Sequence, residues 1–150
     1  MIAGDDDLVN EIKNYSLFRT YRCSPMTLFE LQETVLKYIN KQEKEIPFWN
    51  LITQPYSSLE DRCKNIAKSI SFSTSIEKGE SVIGGGTLPD VTLESPILLI
   101  NNEKTVETVN QLIKNDIPIV PRIIKDQVCL DLRSVFHNQD DIIVQALNNT

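Results

Sequence analysis

The sequence is poor in the residues that build metal centres and hydrolytic sites. It has one histidine, His137, and three cysteines far apart at positions 23, 63 and 129. Zinc fingers and ribbons need closely spaced Cys or His ligands, so we predict no metal site and no disulfide framework. A Ser-His-Asp hydrolase is not indicated either, because the lone histidine lies in a polar stretch. Dispersed, unpaired cysteines are typical of a reducing compartment, and we expect a cytoplasmic protein.

Long hydrophobic runs and basic clusters are also absent. The longest apolar run, Ile97–Ile100, suits a buried strand and is far too short to span a membrane. Fifteen Lys and Arg residues against 21 Asp and Glu residues give a net charge of -6. We therefore expect weak or no nucleic-acid binding by this acidic chain and no membrane partner.

Only five glycines are present, and three of them fall together in Gly84-Gly-Gly-Thr-Leu-Pro89. A Walker loop would need Gly-Lys-Ser/Thr, and a dinucleotide fingerprint would need Gly-x-Gly-x-x-Gly opening a helix. Neither pattern occurs, and Pro89 argues against a helix beginning there. The segment predicts a flexible loop whose backbone approaches another group closely, and the role of Gly84–Gly86 stays open.

What the chain does contain is enough apolar material for one domain, or for a small domain with an extra segment. Of its 150 residues, 41% are hydrophobic and 24% charged. Residues 5–15 predict a helix with three acids in its first turn, and Ser24-Pro25 predicts the start of a second helix over 26–39. The apolar stripe of the second helix is broad enough to be buried on more than one side. We expect residues 1–55 to be a helical segment that packs on a large domain missing from the chain.

Residues 56–150 predict an α+β domain. A capping box, Ser57-Ser-Leu-Glu60, opens a helix to Ile70 whose inner face includes Cys63 as an inert thiol. A strand over 72–76 is followed by a turn at Glu77–Glu80 and a strand over 81–83. The buried strand Ile97–Ile100 comes next.

A further helix, a hairpin and a last helix complete this domain. Asn102 caps the helix, with Val106, Val109 and Ile113 on one face. The hairpin joins residues 117–124 to residues 128–132, with Cys129, Asp131 and Arg133 on the side away from the core and Arg122 available to form an ion pair there. Asn138 caps the last helix. The element order predicts helices laid on one face of a mainly antiparallel sheet.

One arginine pair stands out as a candidate binding site. Arg19 and Arg22 lie three residues apart in Tyr15-Ser-Leu-Phe-Arg-Thr-Tyr-Arg22, between aromatic residues and just before the second helix. If that turn is helical, both guanidinium groups point the same way, as bidentate recognition of a phosphate-like or carboxylate anion requires. An ordinary surface ion pair is the alternative interpretation.

The lysines offer no comparable site. All ten fall on predicted helix surfaces and turns, and none lies in the Gly/Ser-rich apolar setting that a Schiff-base lysine prefers. From the residues alone we predict no catalytic residue and no self-sufficient active site.

Six segments in order resemble one enzyme family over nearly the whole chain. They are Ile2-Ala-Gly-Asp-Asp-Asp-Leu-Val-Asn-Glu-Ile-Lys13, Leu17-Phe-Arg-Thr-Tyr-Arg22, Met26-Thr-Leu28, Ile83-Gly-Gly-Gly-Thr-Leu-Pro89, Pro118-Ile-Val-Pro-Arg-Ile123 and Leu130-Asp-Leu-Arg133. Together they are similar to the C-terminal part of bacterial selenocysteine synthase, the L-seryl-tRNA(Sec) selenium transferase.

The resemblance implies the small C-terminal domain of a fold-type-I enzyme that uses pyridoxal phosphate. Such an enzyme converts seryl-tRNA(Sec) to selenocysteinyl-tRNA through an aminoacrylyl intermediate, with selenophosphate as the selenium donor. The resemblance places the cofactor lysine shortly upstream of the segment that matches Ile2-Ala-Gly4, so we expect this chain to bind no cofactor and to be inactive alone. We also expect it to form oligomers.

The resemblance gives the arginine pair a role. Arg19 and Arg22 match the family's Arg-x-x-Arg, which is implied to hold the anionic selenium donor. The chain departs from the family where Cys23-Ser24-Pro25 replaces an Asp-Lys pair, and where Pro121 replaces the glycine before Arg122.

Two other functions remain open at this point. One is a non-catalytic binding or assembly module that reuses the domain, with the apolar faces of helices 5–15 and 26–39 as a partner interface. The other is the small domain of a different fold-type-I enzyme, such as a desulfurase-like lyase.

Overall fold

A computed structural model of the chain describes residues 4–84 and 91–150. The glycine-rich loop predicted at Gly84–Pro89 therefore lies, beyond Gly84, outside the described residues. The chain divides into two compact units, the first ending at Ile46 and the second running from Pro47 to Thr150.

The first unit is helical, as its sequence predicts. Helix α1 spans Asp6–Asn14, a 3-10 helix spans Ser16–Tyr21, helix α2 spans Pro25–Ile39, and a short 3-10 turn spans Glu43–Glu45. The side chain of Asp5 caps α1 by accepting the backbone N–H of Asp7 at 3.0 Å. Ser24 caps α2 by accepting the N–H of Thr27 at 3.2 Å, with Pro25 in the first turn. Local capping chemistry thus determines where both helices begin.

The first unit has no core of its own. None of its described residues is buried. Most apolar side chains of α1 and α2 are exposed; for example, Leu8 is 60% exposed and Phe29 is 58% exposed. Because residues 4–46 without a buried side chain gain little from the hydrophobic effect, this unit needs a covering surface to be stable.

The second unit is an α+β domain built on one antiparallel sheet. Its strands are β1 (Ser73–Val82), β2 (Thr92–Asn101), β3 (Arg122–Ile124) and β4 (Gln127–Asp131), in the order β1-β2-β4-β3. Its helices are α3 (Pro47–Ile52), α4 (Tyr56–Ser69), α5 (Thr105–Lys114) and α6 (Asp140–Asn148), with short 3-10 turns at Leu132–Ser134 and His137–Gln139. This confirms the predicted fold class.

The main core lies between one face of the sheet and helices α4, α5 and α6. Its buried members are Leu59, Cys63, Ile66, Ile70, Leu98, Ile100, Leu112, Val128, Leu130, Leu132, Ile143, Ala146 and Leu147. The predicted position of Cys63 on the inner face of α4 is confirmed. A smaller buried cluster of Ile97, Leu99 and Cys129 lies on the opposite sheet face. The burial of Ile97 and Leu99 agrees with the predicted buried strand, whereas the sequence predicts Cys129 on a polar, ion-paired face.

The predicted turn at Glu77–Glu80 is wrong, because these residues lie inside the ten-residue strand β1. Each of them pairs with β2 in one unbroken ladder, from Glu77 opposite Ile97 to Glu80 opposite Glu94. The salt bridge from Lys78 to Glu94, at 2.7 Å, spans the same ladder. Long-range pairing therefore overrides the local turn preference of Gly79.

The predicted eight-residue strand before the hairpin is also too long. Only Arg122–Ile124 pairs with β4. Pro118 and Pro121 have no backbone N–H to donate to a ladder, so the segment before Arg122 does not join the sheet. The hairpin itself is confirmed.

Three predicted helix starts are shifted. Helix α4 begins at Tyr56 with Pro55 as its cap, so the predicted capping box does not form, and Glu60 instead pairs with Lys64 at 2.6 Å. Helix α6 begins at Asp140, after the 3-10 turn, and not at Asn138. Helix α5 begins at Thr105, although Asn102 still accepts the N–H of Lys104 at 2.9 Å.

The buried face of α5 differs from the predicted one. Thr105, Thr108 and Leu112 are buried, whereas Val106 is 65% exposed and Ile113 is 44% exposed. The hydroxyl of Thr108 accepts a hydrogen bond from Asn102 at 2.6 Å, and that of Thr105 bonds the carbonyl of Asp126 at 2.5 Å. These polar contacts turn the threonines inward, whereas Val106 and Ile113 face outward. Of the predicted face only Val109 packs against the core.

Candidate functional site

The arginine pair lies at the end of the 3-10 helix of the first unit. Arg19 is within that helix, and Arg22 is the residue that ends it, with extended backbone angles (φ -68°, ψ 124°). The backbone N–H of Arg22 donates to the carbonyl of Arg19 at 3.4 Å, so one turn joins the two residues. The turn between the two arginines is therefore helical, as the predicted site requires, and a shared direction of the two guanidinium groups stays a prediction.

Both arginines are exposed. Within residues 4–84 and 91–150, no salt bridge involves either guanidinium group. The alternative interpretation as a surface ion pair is therefore not supported among the described residues. Donor groups that bind no carboxylate are available to an anionic ligand.

An apolar groove of about 960 Å³ adjoins Arg22. It is lined mainly by apolar and aromatic side chains of α1, the 3-10 helix and α2: Val9, Ile12, Tyr15, Leu17, Phe18, Tyr21, Leu28 and Leu31. Arg22 and the exposed Cys23 lie along it, whereas Arg19 does not line it. The structure thus places one of the two predicted anion-binding residues at a concave surface.

The second unit contains a polar cluster centred on Asp131, which lies beside a pocket of about 640 Å³. One carboxylate oxygen of Asp131 accepts hydrogen bonds from Ser81 at 2.5 Å and Arg122 at 3.4 Å. The other oxygen accepts from Ser95 at 2.9 Å and from the backbone N–H of Arg133 at 3.1 Å.

The sequence predicts only the Arg122–Asp131 contact of this cluster. Ser81 and Ser95 lie 50 and 36 residues from Asp131, so only the strand register brings them together. A single sequence carries no local signal for that register.

Two buried arginines, missed by sequence reasoning, anchor the residues around Gln54 to the domain. Arg62 forms a bidentate pair with Asp140, at 2.9 and 2.6 Å, and donates to the Gln54 side chain at 2.8 Å. Arg133 donates to the carbonyls of Ile52 and Gln54, both at 3.0 Å. These contacts are structural, because the Nη donors of both arginines are consumed within the fold. Nε of Arg133 is buried and has no hydrogen-bond partner among the described residues.

The buried thiols are not suited to nucleophilic chemistry. Burial raises the pKa of Cys63 to about 12, and the neighbouring Arg62 only partly offsets this. Burial also raises the pKa of Cys129. Because the thiolate is the reactive form, both residues act as apolar core groups at neutral pH, as predicted for Cys63.

The lysines do not fit a pyridoxal phosphate site. Nine of the ten are exposed, and the tenth, Lys37, forms a salt bridge with Glu45 at 3.9 Å. Hydrogen bonds to Glu60 and Glu94 raise the pKa values of Lys64 and Lys78 respectively. A Schiff-base lysine needs the opposite shift, since its amine must lose a proton before it can attack an aldehyde.

The described residues form neither a metal-binding cluster nor a membrane-spanning helix. No group of three or more His, Cys, Asp or Glu side chains in the described part of the chain has a metal-binding arrangement. Likewise, no described helix has the length and hydropathy to cross a membrane.

The sheet, its helices and the helical unit before them define a small α+β domain with an amino-terminal extension, consistent with the C-terminal domain of a selenium transferase. A family model described as L-seryl-tRNA selenium transferase matches residues 1–136. The chain belongs to this family, which confirms the resemblance drawn from the six sequence segments.

Three curated relatives carry the name L-seryl-tRNA(Sec) selenium transferase. The protein from Clostridium perfringens is 31% identical, with 98% of this chain and 34% of the relative covered. Those from Campylobacter fetus and Campylobacter jejuni are 30% and 28% identical, each with 99% of this chain and 33% of the relative covered. The chain thus spans about one third of the length of the curated relatives it matches.

Proposed function

We propose that this chain supplies the C-terminal third of an L-seryl-tRNA(Sec) selenium transferase. The whole enzyme would form selenocysteinyl-tRNA(Sec) from seryl-tRNA(Sec) and selenophosphate in the cytoplasm. The observation that carries the proposal is the family match over residues 1–136, combined with coverage of only one third of the relatives. Nucleic-acid contacts would come mainly from the remaining two thirds, in keeping with the net charge of -6 found here.

The chain alone is catalytically silent under this proposal. The resemblance places the lysine that carries pyridoxal phosphate upstream of the segment matched by Ile2-Ala-Gly4. The exposure of nine of the ten lysines in the chain supports this assignment, because a Schiff-base lysine prefers an enclosed, apolar setting.

Arg19 and Arg22 would bind the phosphate-like selenium donor. Their exposure, their proximity within one turn and the absence of salt bridges to them among the described residues support this role. Guanidinium groups bind such anions through paired N–H donors, which a lysine at the same position cannot reproduce.

The first unit would pack against the remaining two thirds of the enzyme. Its helices expose many apolar side chains and bury none, and the 960 Å³ groove runs between them. An exposed apolar surface of this extent is typical of an interface. The whole enzyme would then form oligomers, as the resemblance implies.

A complementation experiment tests the proposal. The N-terminal two thirds of the Clostridium perfringens relative is expressed with this chain in bacteria that lack their own selenium transferase. Selenium-75 incorporation into a selenoprotein is then measured. We expect this chain to restore incorporation and Arg19→Ala or Arg22→Ala to lower it roughly tenfold or more, because each removes charge-assisted hydrogen bonds.

Two controls make the outcome decisive. The relative's own C-terminal third must restore incorporation with the same partner, and Lys114→Ala, on the exposed end of α5, must leave it unchanged. Restoration by the relative's third but not by this chain would contradict the proposal. Equal activity of Arg19→Ala, Arg22→Ala and the unchanged chain would contradict the assigned role of the pair.

A further inference from the structure

The outer edge of β1 is the longest unpaired strand edge among the described residues. β1 lies at one end of the sheet and pairs along all ten of its residues with β2, on its inner side alone. At the other end of the sheet, β3 has only three residues. An edge strand presents a row of backbone N–H and C=O groups that another strand can pair with.

Alternate residues of β1 form a patterned row beside this edge. Ile76 lies opposite Leu98 and packs on the core, so it points to the sheet face that carries the helices. Lys78, Glu80 and Val82 share that face, because strand side chains alternate. The row therefore consists of an apolar, a basic, an acidic and an apolar residue in chain order. Its last member, Val82, is 57% exposed.

Glu80 has an unfavourable neighbour within its own sheet. It lies directly opposite Glu94 on β2, and like charges facing each other across a ladder repel. Lys78 pairs with Glu94 at 2.7 Å, and no salt bridge involving Glu80 occurs among residues 4–84 and 91–150. A second cation at the outer edge of β1 would relieve this repulsion.

We propose that two copies of this chain associate through β1, antiparallel, about a two-fold axis at Gly79. A register that sets Gly79 opposite the partner's Gly79 also sets Lys78 opposite the partner's Glu80 and Ile76 opposite the partner's Val82. Two-fold symmetry makes each contact twice. Shifting the axis by one residue would instead set Lys78 opposite the partner's Lys78, or Glu80 opposite the partner's Glu80, so the charges select one register.

Charge exchange along the edge tests this inference. The mass and dissociation constant of the full chain are measured by light scattering and sedimentation. We expect a species of twice the 17.1 kDa chain mass at high concentration. Lys78→Glu and Glu80→Lys should each weaken the dimer roughly tenfold or more, because each replaces two attractive pairs with two repulsive ones. The double variant Lys78→Glu/Glu80→Lys should restore it.

The double variant is well suited to the test, because it places a lysine at position 80, directly opposite Glu94, and so preserves a favourable cross-strand pair within each copy. Lys125→Glu makes the same charge change in the turn after β3, at the other end of the sheet, and should leave the dimer unchanged. Circular dichroism verifies the folding of each variant. If a variant fails to fold, Glu80→Gln replaces it. Glu80→Gln should weaken the dimer less than Glu80→Lys.

Three results would overturn the inference. They are a monomer at all concentrations, a dimer equally strong in Lys78→Glu, and a double variant as weak as the single variants. A dimer that ignores the edge charges would point instead to association through the apolar face of the first unit.

Discussion

Gly79 shows how one residue in the middle of β1 accommodates a partner across the sheet. It lies opposite Ser95, and a Cβ atom built on it would lie 2.5 Å from Cγ1 of Ile97. Its backbone φ is not positive, so the requirement is for space and not for an unusual conformation. A sequence reader sees only a turn-forming glycine among charged residues, because the neighbour that needs the space is 18 positions away.

Substitution of this glycine provides a direct test. Gly79→Ala should lower the free energy of unfolding by about 1–3 kcal/mol, because Ile97 is branched at Cβ, is buried and cannot move away freely. The measurement is urea denaturation in the Lys78→Glu background, so that association does not contribute. Gly84→Ala, where no described atom lies within 4 Å, is the control and should change the free energy by less than about 0.5 kcal/mol. Equal stability of Gly79→Ala and the control would refute the steric explanation.

The boundaries and buried faces of helices and strands could be predicted where local chemistry determines them. They could not be predicted where distant contacts determine them. The caps of α1 and α2 consist of residues within three positions of the helix start, and both starts are correct. The inward face of α5 depends on Asn102 and on Asp126, which is 21 residues from Thr105, and the prediction is wrong there. The length of β1 depends likewise on its register with β2.

The hairpin turn between β3 and β4 has a position that the sequence predicts and a backbone conformation that it does not. Its place in the chain follows from the sequence, but its two central residues, Lys125 and Asp126, have positive φ values of 51° and 61°. Two positive φ values define a type I′ turn, which prefers Asn-Gly. Lys125 and Asp126 therefore adopt a strained backbone conformation at this turn.

Replacing the turn with its preferred residues should stabilise the domain. Lys125→Asn/Asp126→Gly should raise the free energy of unfolding by about 1 kcal/mol, because asparagine and glycine adopt positive φ at lower cost. Thermal and urea unfolding measure the change. Asp116→Gly, in a loop without positive φ, should not stabilise, since glycine there only increases the entropy of the unfolded chain. A double variant less stable than the unchanged chain would contradict the turn assignment.

The whole molecule consists of a domain with a complete core and a helical unit without one. The fold class follows from the sequence pattern, and the family follows from the ordered segments. The sequence also predicts apolar faces on both helices of the first unit. It does not indicate the buried arginines Arg62 and Arg133 or the four-way contacts of Asp131, because each depends on residues distant in the chain. The candidate anion site was found because Arg19 and Arg22 lie within a single turn.

We propose that the chain is a part of a selenium transferase that does not hold the cofactor itself. The most direct measurement is borohydride reduction of the purified chain after incubation with pyridoxal phosphate, followed by peptide mass spectrometry. We expect only low, unsaturable labelling spread over the exposed lysines, because their ammonium groups are solvated. Labelling of a single lysine that saturates at one cofactor molecule per chain would contradict the claim.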